Sequence, residues 1–263
     1  MSDHPSSSSA DAFGRALRSV STSKGTRRWL LERAAIGVAG ITAASVIVPA
    51  GDAFADTRRD SKPHDSIEEW GEFASTTEAL TVTILTELVR RASVNSVPSG
   101  VSVIFDGVYA AELDHWNFIQ KIFRPSTKRF WIPDGFFGGP GDALDLTAVG
   151  RGVAAGEHLF VNTYLLGVTI AAAEGESKLA RYAAELGGVE AEHRVLGQSL
   201  AGASPPNDLG FEVFDLSSVD AIEGALMSAG FGLGRQGSAA GRFYDFPSPP
   251  MQPPVTISGN TPT

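Results

Sequence analysis

Two short motifs of the form Glu-x-x-His occur in this sequence, at Glu112–His115 and Glu190–His193. A single glutamate precedes each motif at nearly the same distance: Glu78 lies 34 residues before the glutamate of the first motif, and Glu157 lies 33 residues before that of the second. Residues three apart on a helix share one face, so each motif would direct its carboxylate and its imidazole at the same centre. The chain therefore contains two similar half-sets of metal-ligand side chains.

The segments around these residues have the apolar periodicity of amphipathic helices. In each of four segments, apolar residues recur at steps of three and four, and the glutamates and histidines interrupt the face that should point inward. A buried glutamate is costly unless it is paired, protonated or bound to a metal. Two divalent cations would neutralise four carboxylates, and two imidazoles would add neutral nitrogen ligands. The candidate metal ligands are Glu78, Glu112, His115, Glu157, Glu190 and His193. The plainer alternative is a purely structural bundle without metal.

The amino-acid composition limits the types of metal site and of partner that are expected for this chain. The 263 residues are 43% hydrophobic, which suffices for one sizeable core. The absence of cysteine excludes disulfides, iron–sulfur clusters and zinc ribbons, and leaves histidine and carboxylate as metal ligands. Because the formal net charge is −9, we expect no broad basic surface and no nucleic-acid partner.

The first 55 residues have the features of an export signal. A polar, serine-rich stretch over residues 1–24 precedes the pair Arg27-Arg28, an apolar stretch from Ala34 to Ala50, and a small-x-small site ending at Ala55. The adjacent arginines resemble a twin-arginine signal, which implies the twin-arginine export machinery as a partner. Cleavage near Ala55 would deliver the protein to the periplasm, the cell envelope or the exterior. The alternative is an uncleaved membrane anchor, for which this apolar stretch is short.

Helix and loop signals divide the rest of the chain. Residues 56–64 are interpreted as a charged leader, 65–215 as a four-helix bundle, and 216–263 as a short helix with a Pro/Gly-rich tail. Ser66 and Glu69 form a capping-box pattern at the start of the first helix. The predicted helices span residues 66–93, 101–123, 143–173, 177–202 and 219–228.

The segments between and after these helices are predicted to be irregular. Residues 126–141 are rich in glycine, proline and aromatic residues, and we expect the aromatic side chains to pack against the bundle. From Gly230 onward, the composition favours an extended or disordered chain. The third helix contains several glycines, each of which should weaken it relative to alanine. These glycines are Gly150, Gly152, Gly156 and Gly167.

The two half-sets resemble the ferritin-like superfamily, whose di-iron and di-manganese members place one glutamate on each of two helices and Glu-x-x-His on each of the other two. More narrowly, the stretch Glu72–Leu80, the third-helix pair Glu157 and Tyr164, and Glu190–His193 followed by Pro205-Pro206 are similar to the secreted ferritin-like domain family. The resemblance covers residues 65–215. It implies an all-α fold, a ferritin-like four-helix bundle with a long crossover between helices two and three.

The resemblance also implies roles for individual residues. Glu112 and Glu190 would bridge two iron or two manganese ions. Glu78 with His115, and Glu157 with His193, would complete the two metal positions. Two tyrosines lie at helical spacing from these ligands and could hydrogen-bond a ligand carboxylate, core packing being the alternative. They are Tyr109 and Tyr164.

Two functions follow from this resemblance. The first is oxidoreductase chemistry, with dioxygen, peroxide or ferrous iron as small-molecule substrate, in the manner of a ferroxidase, peroxidase or catalase. The second is a non-enzymatic, desiccation-related structural role in the envelope. Iron storage in a many-subunit shell is a third interpretation. The sequence leaves open the choice between iron and manganese and whether the chain forms a homo-oligomer.

Overall fold

The computed structural model describes residues 65–207, 209–253 and 255–257. Within these residues the chain is mostly helical, with four long helices, one short helix and a small sheet. The helices are α1 (Ile67–Val94), α2 (Ser99–Ile119), α3 (Leu146–Glu174), α4 (Ser177–Leu200) and α5 (Val219–Ser228). The strands are β1 (Arg129–Pro133), β2 (Gly232–Leu233) and β3 (Gly241–Asp245), and a 3-10 helix spans Asp134–Phe137.

All five predicted helices are present, and the second ends earlier than expected. Helix α2 stops at Ile119 rather than at residue 123, because Lys121 and Ile122 donate to carbonyls only three residues back. The predicted export signal (residues 1–55) and leader (56–64) lie outside the described residues. No helix among the described residues is both long and apolar enough to cross a membrane.

Helix α1 is the central element of the fold. It begins with the predicted capping box, in which the Glu69 amide donates to Ser66 Oγ at 3.2 Å and the Ser66 amide donates to Glu69 Oε2 at 2.8 Å. The helix packs against α2, α3, α5 and β1, so it is buried on almost every side. Its buried threonine hydroxyls donate to carbonyls in the preceding turn, as Thr83 does to Ala79 at 2.7 Å.

The three-stranded antiparallel sheet, of order β2-β1-β3, was not predicted. Strand β1 lies in the connection between α2 and α3, which was expected to be irregular, and β2 and β3 lie in the segment expected to be extended or disordered. Phe130 pairs with Leu233 on one side and with Tyr244 on the other. Because Phe130 and Ile132 are both fully buried on one face of β1, the sheet is held against the helices by alternate side chains. The expectation that the aromatic residues of this connection pack inward is confirmed for Phe130 and Phe137.

A buried arginine joins α1 to the sheet and to the connection between α2 and α3. The Arg91 side chain is 0% exposed and lies 2.7 Å from Glu87 Oε1. It also donates to the Ala143 carbonyl at 2.6 Å and to the Tyr244 hydroxyl at 3.1 Å, and its guanidinium lies 4.0 Å from the centre of the Phe137 ring. This one charged group therefore fixes three separate segments of the chain.

The glycines of α3 mostly mark close contacts between elements. A Cβ atom at Gly150 would overlap the backbone of α4 near Ala201, and one at Gly167 would overlap the indole of Trp70. The Trp70 indole also donates to the Thr163 carbonyl at 2.7 Å, which fixes the ring against α3. At Gly156, by contrast, nothing lies within 4 Å of the point that a Cβ atom would occupy, so that glycine has no packing role.

This contrast predicts opposite effects of two alanine substitutions in the same helix. Gly167→Ala should lower the free energy of unfolding by about 1–3 kcal/mol, because the new methyl group must displace Trp70. Gly156→Ala should raise it by about 0.5–1 kcal/mol, because alanine is the better helix former and meets open space. Chemical denaturation of both variants measures the two changes. Equal effects would contradict this assignment of the glycines.

Candidate metal centre

The four long helices bring all six candidate ligands into one buried cluster. Each of α1 and α3 contributes one glutamate, and each of α2 and α4 contributes one Glu-x-x-His motif. Every member is buried, and three of the glutamates have no exposed surface at all. The cluster consists of Glu78, Glu112, His115, Glu157, Glu190 and His193.

The two motifs face each other in a crossed arrangement. His193 Nδ1 lies 2.6 Å from Glu112 Oε1 and 3.2 Å from Glu190 Oε2. His115 Nδ1 lies 3.1 Å from Glu190 Oε1 and 3.6 Å from Glu112 Oε2. Each of the two carboxylates therefore presents one oxygen to each imidazole, and each imidazole lies closer to the glutamate of the other helix than to its own.

These contacts define two overlapping ligand groups. Each group offers one ligand atom per residue, and within a group these atoms all lie within 4.8 Å of one another. Glu112 and Glu190 belong to both groups. Glu78 and His115 complete the first group, and the second is completed by Glu157 and His193. The cluster therefore consists of two candidate sites of four residues each, and the two sites share two carboxylates.

Several ligand atoms of the cluster lack hydrogen-bond partners. Both oxygens of Glu112 are buried without a hydrogen bond, although Oε1 lies 2.6 Å from His193 Nδ1. Buried polar atoms normally have partners, so such a concentration of unsatisfied atoms needs an explanation. The other unsatisfied atoms are Glu78 Oε2, His115 Nδ1, Glu157 Oε2 and Glu190 Oε1.

No buried arginine or lysine compensates these carboxylates within the described part of the chain. Its two buried arginines are engaged elsewhere, since Arg91 pairs with Glu87 at 2.7 Å and Arg194 with Glu212 at 2.8 Å. Convergent, unsatisfied oxygen and nitrogen donors with excess negative charge are what a divalent metal ion requires. The residues present therefore fit a metal centre.

The protonation of the cluster reflects its burial. Burial, followed by the charges of the neighbouring glutamates, raises the pKa of Glu78 and of Glu157 well above the ordinary range of a carboxyl group. Both carboxyl groups therefore retain their protons to higher pH when no metal is bound. A metal ion that binds to them must displace those protons.

In the two Glu-x-x-His motifs, neighbouring charges rather than burial decide the direction in which the pKa values of Glu112, His115 and His193 are shifted. Burial opposes a charged imidazole, but the nearby Glu190 and Glu112 outweigh it and raise the pKa of both His115 and His193. Burial would likewise raise the pKa of Glu112, but the two histidines outweigh it and lower that pKa well below the ordinary range. When no metal is bound, protons on the two imidazoles would therefore offset part of the negative charge of these carboxylates.

The two tyrosines predicted to support the ligands have different roles. Tyr164 is buried on α3, and its hydroxyl donates a short hydrogen bond to Glu78 Oε1. Burial, followed by the charge of Glu78, raises the pKa of the Tyr164 phenol, so it remains a donor. The hydroxyl of Tyr109 instead donates to the Met251 carbonyl at 2.8 Å and joins α2 to the C-terminal segment. For Tyr109, the alternative of core packing with a satisfied hydroxyl applies.

Asn162, which attaches the segment after α4 to α3, was not predicted from the sequence. The buried Asn162 accepts from the amides of Asp215 and Leu216, both at 3.0 Å, and donates to the Val213 carbonyl at 3.2 Å. His158 lies outside the ligand cluster, with its Nε2 3.1 Å from Asp215 Oδ1. A lone asparagine within the apolar run of α3 was the available signal for this attachment.

No protein-family model, no curated protein and no solved structure gave a significant match to this chain. The resemblance to ferritin-like proteins therefore remains a prediction from the motifs.

The raised pKa values predict that metal affinity increases with pH. The raised pKa values mean that Glu78, Glu157 and both imidazoles keep their protons to higher pH, and a metal must displace those protons. The apparent affinity for Mn²⁺ should therefore rise as the pH is raised. Calorimetric titration in buffers of different ionisation enthalpy would count the released protons. We expect protons to be released as each ion binds. Proton-independent binding would show that these groups are not the ligands.

Proposed function

We propose that this chain is an exported ferritin-like protein that binds a dinuclear iron or manganese centre and reduces dioxygen or peroxide. The observation that supports this most strongly is the sharing of Glu112 and Glu190 between the two ligand groups. A carboxylate with one oxygen in each group can hold two metal ions side by side. Glu78 with His115 would complete one position.

The long connection between α2 and α3 supports the ferritin-like part of the proposal. It runs over residues 120–145, whereas the connection between α3 and α4 is a tight turn at Gly175, with φ at +82°. A long second connection and short outer connections are expected of ferritin-like bundles. In this protein the long connection includes β1, which pairs with strands from the C-terminal segment.

The residues of the chain would prepare the site for two-electron chemistry. A bound pair of iron or manganese ions would supply that chemistry, because neighbouring ions can share two electrons. Glu112 and Glu190 would hold the ions close together, and Tyr164 would fix the orientation of Glu78. The buried surroundings of the cluster exclude bulk water. The carboxyl groups of Glu78 and Glu157 would release their protons to solvent when the metal ions bind.

We also propose that the protein is exported before it functions. The predicted twin-arginine signal over residues 1–55 would carry a folded protein, so the metals could be acquired in the cytoplasm. The functional location would then be the periplasm, the envelope or the exterior.

A pair of glutamine substitutions on α4 tests the proposed function. The protein should contain two metal ions per chain and should consume oxygen when ferrous iron is added. Glu190→Gln should lower metal affinity by more than the roughly 10–100-fold cost of losing an outer supporting group, because a shared ligand is lost. Glu192→Gln lies on the exposed face of the same helix and should change neither property.

Elemental analysis and an oxygen electrode measure both quantities on protein purified through its own export route. Less than one metal ion per chain in the unsubstituted protein, together with no oxidation of ferrous iron, would overturn the proposed activity. The structural role in the envelope would then be the better explanation. Equal losses in Glu190→Gln and Glu192→Gln would also contradict the assignment of the ligands.

A further inference from the structure

The segment that follows α2 is positively charged, although the chain as a whole is acidic. Residues 120–129 include four lysines and arginines and no aspartate or glutamate, whereas the formal net charge of the chain is −9. Lys121, Arg124 and Lys128 are exposed, and within the described part of the chain none of them forms an ion pair with a carboxylate. We call these three residues the basic patch.

Exposed arginines elsewhere in the protein show the contrast. The side chains of Arg235 and Arg242 each lie 3.0 Å from a carboxylate oxygen, so the protein itself neutralises them. The end of α2 favours nearby cations, which gives Lys121 and Arg124 a role in helix stability. That role requires neither a cavity between the cationic side chains nor an exposed apolar residue among them, and this segment has both.

An open surface cavity lies between members of the basic patch. Its lining consists of Gln120, Arg124, Pro125, Ser126, Thr127 and Lys128. Every polar side chain of this lining can donate a hydrogen bond, and none carries a negative charge. A cavity of this composition favours an oxyanion such as a phosphate group, which accepts hydrogen bonds and pairs with guanidinium and ammonium groups.

Contacts with the helices and the C-terminal segment hold this lining in place. The Ser126 amide donates to Thr76 Oγ1 on α1 at 2.9 Å. The Lys128 ammonium lies 5.0 Å from the centre of the Trp116 ring and 5.2 Å from that of Phe246. Such cation–π contacts position the ammonium and leave its positive charge available to an anion. Groups that are already positioned lose less conformational freedom when a ligand binds.

An exposed apolar side chain lies within the same segment. Ile122 is 50% exposed, whereas the ring of its neighbour Phe123 packs against Trp70 with ring centres 5.8 Å apart. This inward contact fixes the turn and keeps Ile122 at the surface. A soluble phosphate compound gains nothing from an exposed isoleucine. A phospholipid membrane offers both phosphate groups for the cations and an apolar interior for the isoleucine.

We propose that the basic patch and Ile122 form a docking surface for a membrane of anionic phospholipids. Lipid phosphate groups would bind in the cavity lined by Arg124 and Lys128, and Ile122 would enter the boundary between headgroups and acyl chains. The negative charge of the rest of the protein permits this contact, because at about 0.1 M salt charges more than about 10 Å apart are largely screened. The proposed surface is independent of the metal centre.

The test is sedimentation of the exported protein with lipid vesicles at about 0.1 M salt. The vesicles contain either phosphatidylcholine alone or an equal mixture of phosphatidylcholine and phosphatidylglycerol. We expect binding to the mixed vesicles, little binding to the neutral ones, and loss of binding at about 1 M salt, where the screening length is about 3 Å.

Single substitutions with matched controls identify the surface. Arg124→Gln and Lys128→Gln should each weaken binding to the mixed vesicles about fivefold, because each removes one cation from the contact. Lys178→Gln removes the same charge from an exposed position on α4 and should have no effect. Ile122→Ser should weaken binding about fivefold. Val103→Ser is its control, since Val103 is 60% exposed near the start of α2.

The outcomes separate a membrane from a soluble anion. Equal sedimentation with neutral and mixed vesicles, or equal losses in the patch variants and their controls, would overturn the proposal. Calorimetry with inorganic phosphate supplies the second arm. Phosphate binding that is lost in Arg124→Gln, without binding to vesicles, would identify a site for a soluble anion and overturn the membrane assignment. Metal content does not enter these measurements, so failure of the metal centre and failure of this surface are distinguishable.

Discussion

The mutual repulsion of four carboxylates inside one helical core is the constraint on which the rest of this structure depends. Glu78, Glu112, Glu157 and Glu190 are buried together, and the buried arginines of the described chain neutralise other groups. Such a cluster persists only if protons or cations are bound within it. The proposed metal pair and the raised pKa values of the metal-free protein are two solutions to the same electrostatic problem.

The surrounding elements keep these groups in a fixed arrangement. Helix α1 is enclosed by α2, α3, α5 and β1, so Glu78 has little freedom to move towards water. The sheet joins the connection between α2 and α3 to the C-terminal segment, and Arg91 links both to α1. Phe246 packs against Trp116 of α2 with ring centres 4.3 Å apart, which holds the same C-terminal segment against the bundle. Rigid elements of this kind position ligands more accurately than loops do.

The helices and the cluster could be predicted because their signals are local. Ligand spacing of three residues and apolar spacing of three and four residues follow directly from helix geometry. The sheet could not be predicted in the same way, because Phe130 and Tyr244 are paired across more than a hundred residues. Tyr109 and Tyr164 occupy similar positions in the sequence, and only the packing of neighbouring helices shows that Tyr164 reaches a candidate ligand, Glu78. From the sequence, the glycines of α3 were expected to weaken that helix. In the structure, Gly150 and Gly167 instead allow neighbouring elements to pack closely against it.

Anomalous diffraction from crystals of the exported protein, recorded at the iron and manganese absorption edges, tests the central claim most directly. The account predicts two adjacent peaks between the carboxylates of Glu112 and Glu190, one on the side of His115 and the other on the side of His193. A fully ordered cluster with no anomalous peak at either edge, its carboxylates bound only to one another through protons, would contradict it.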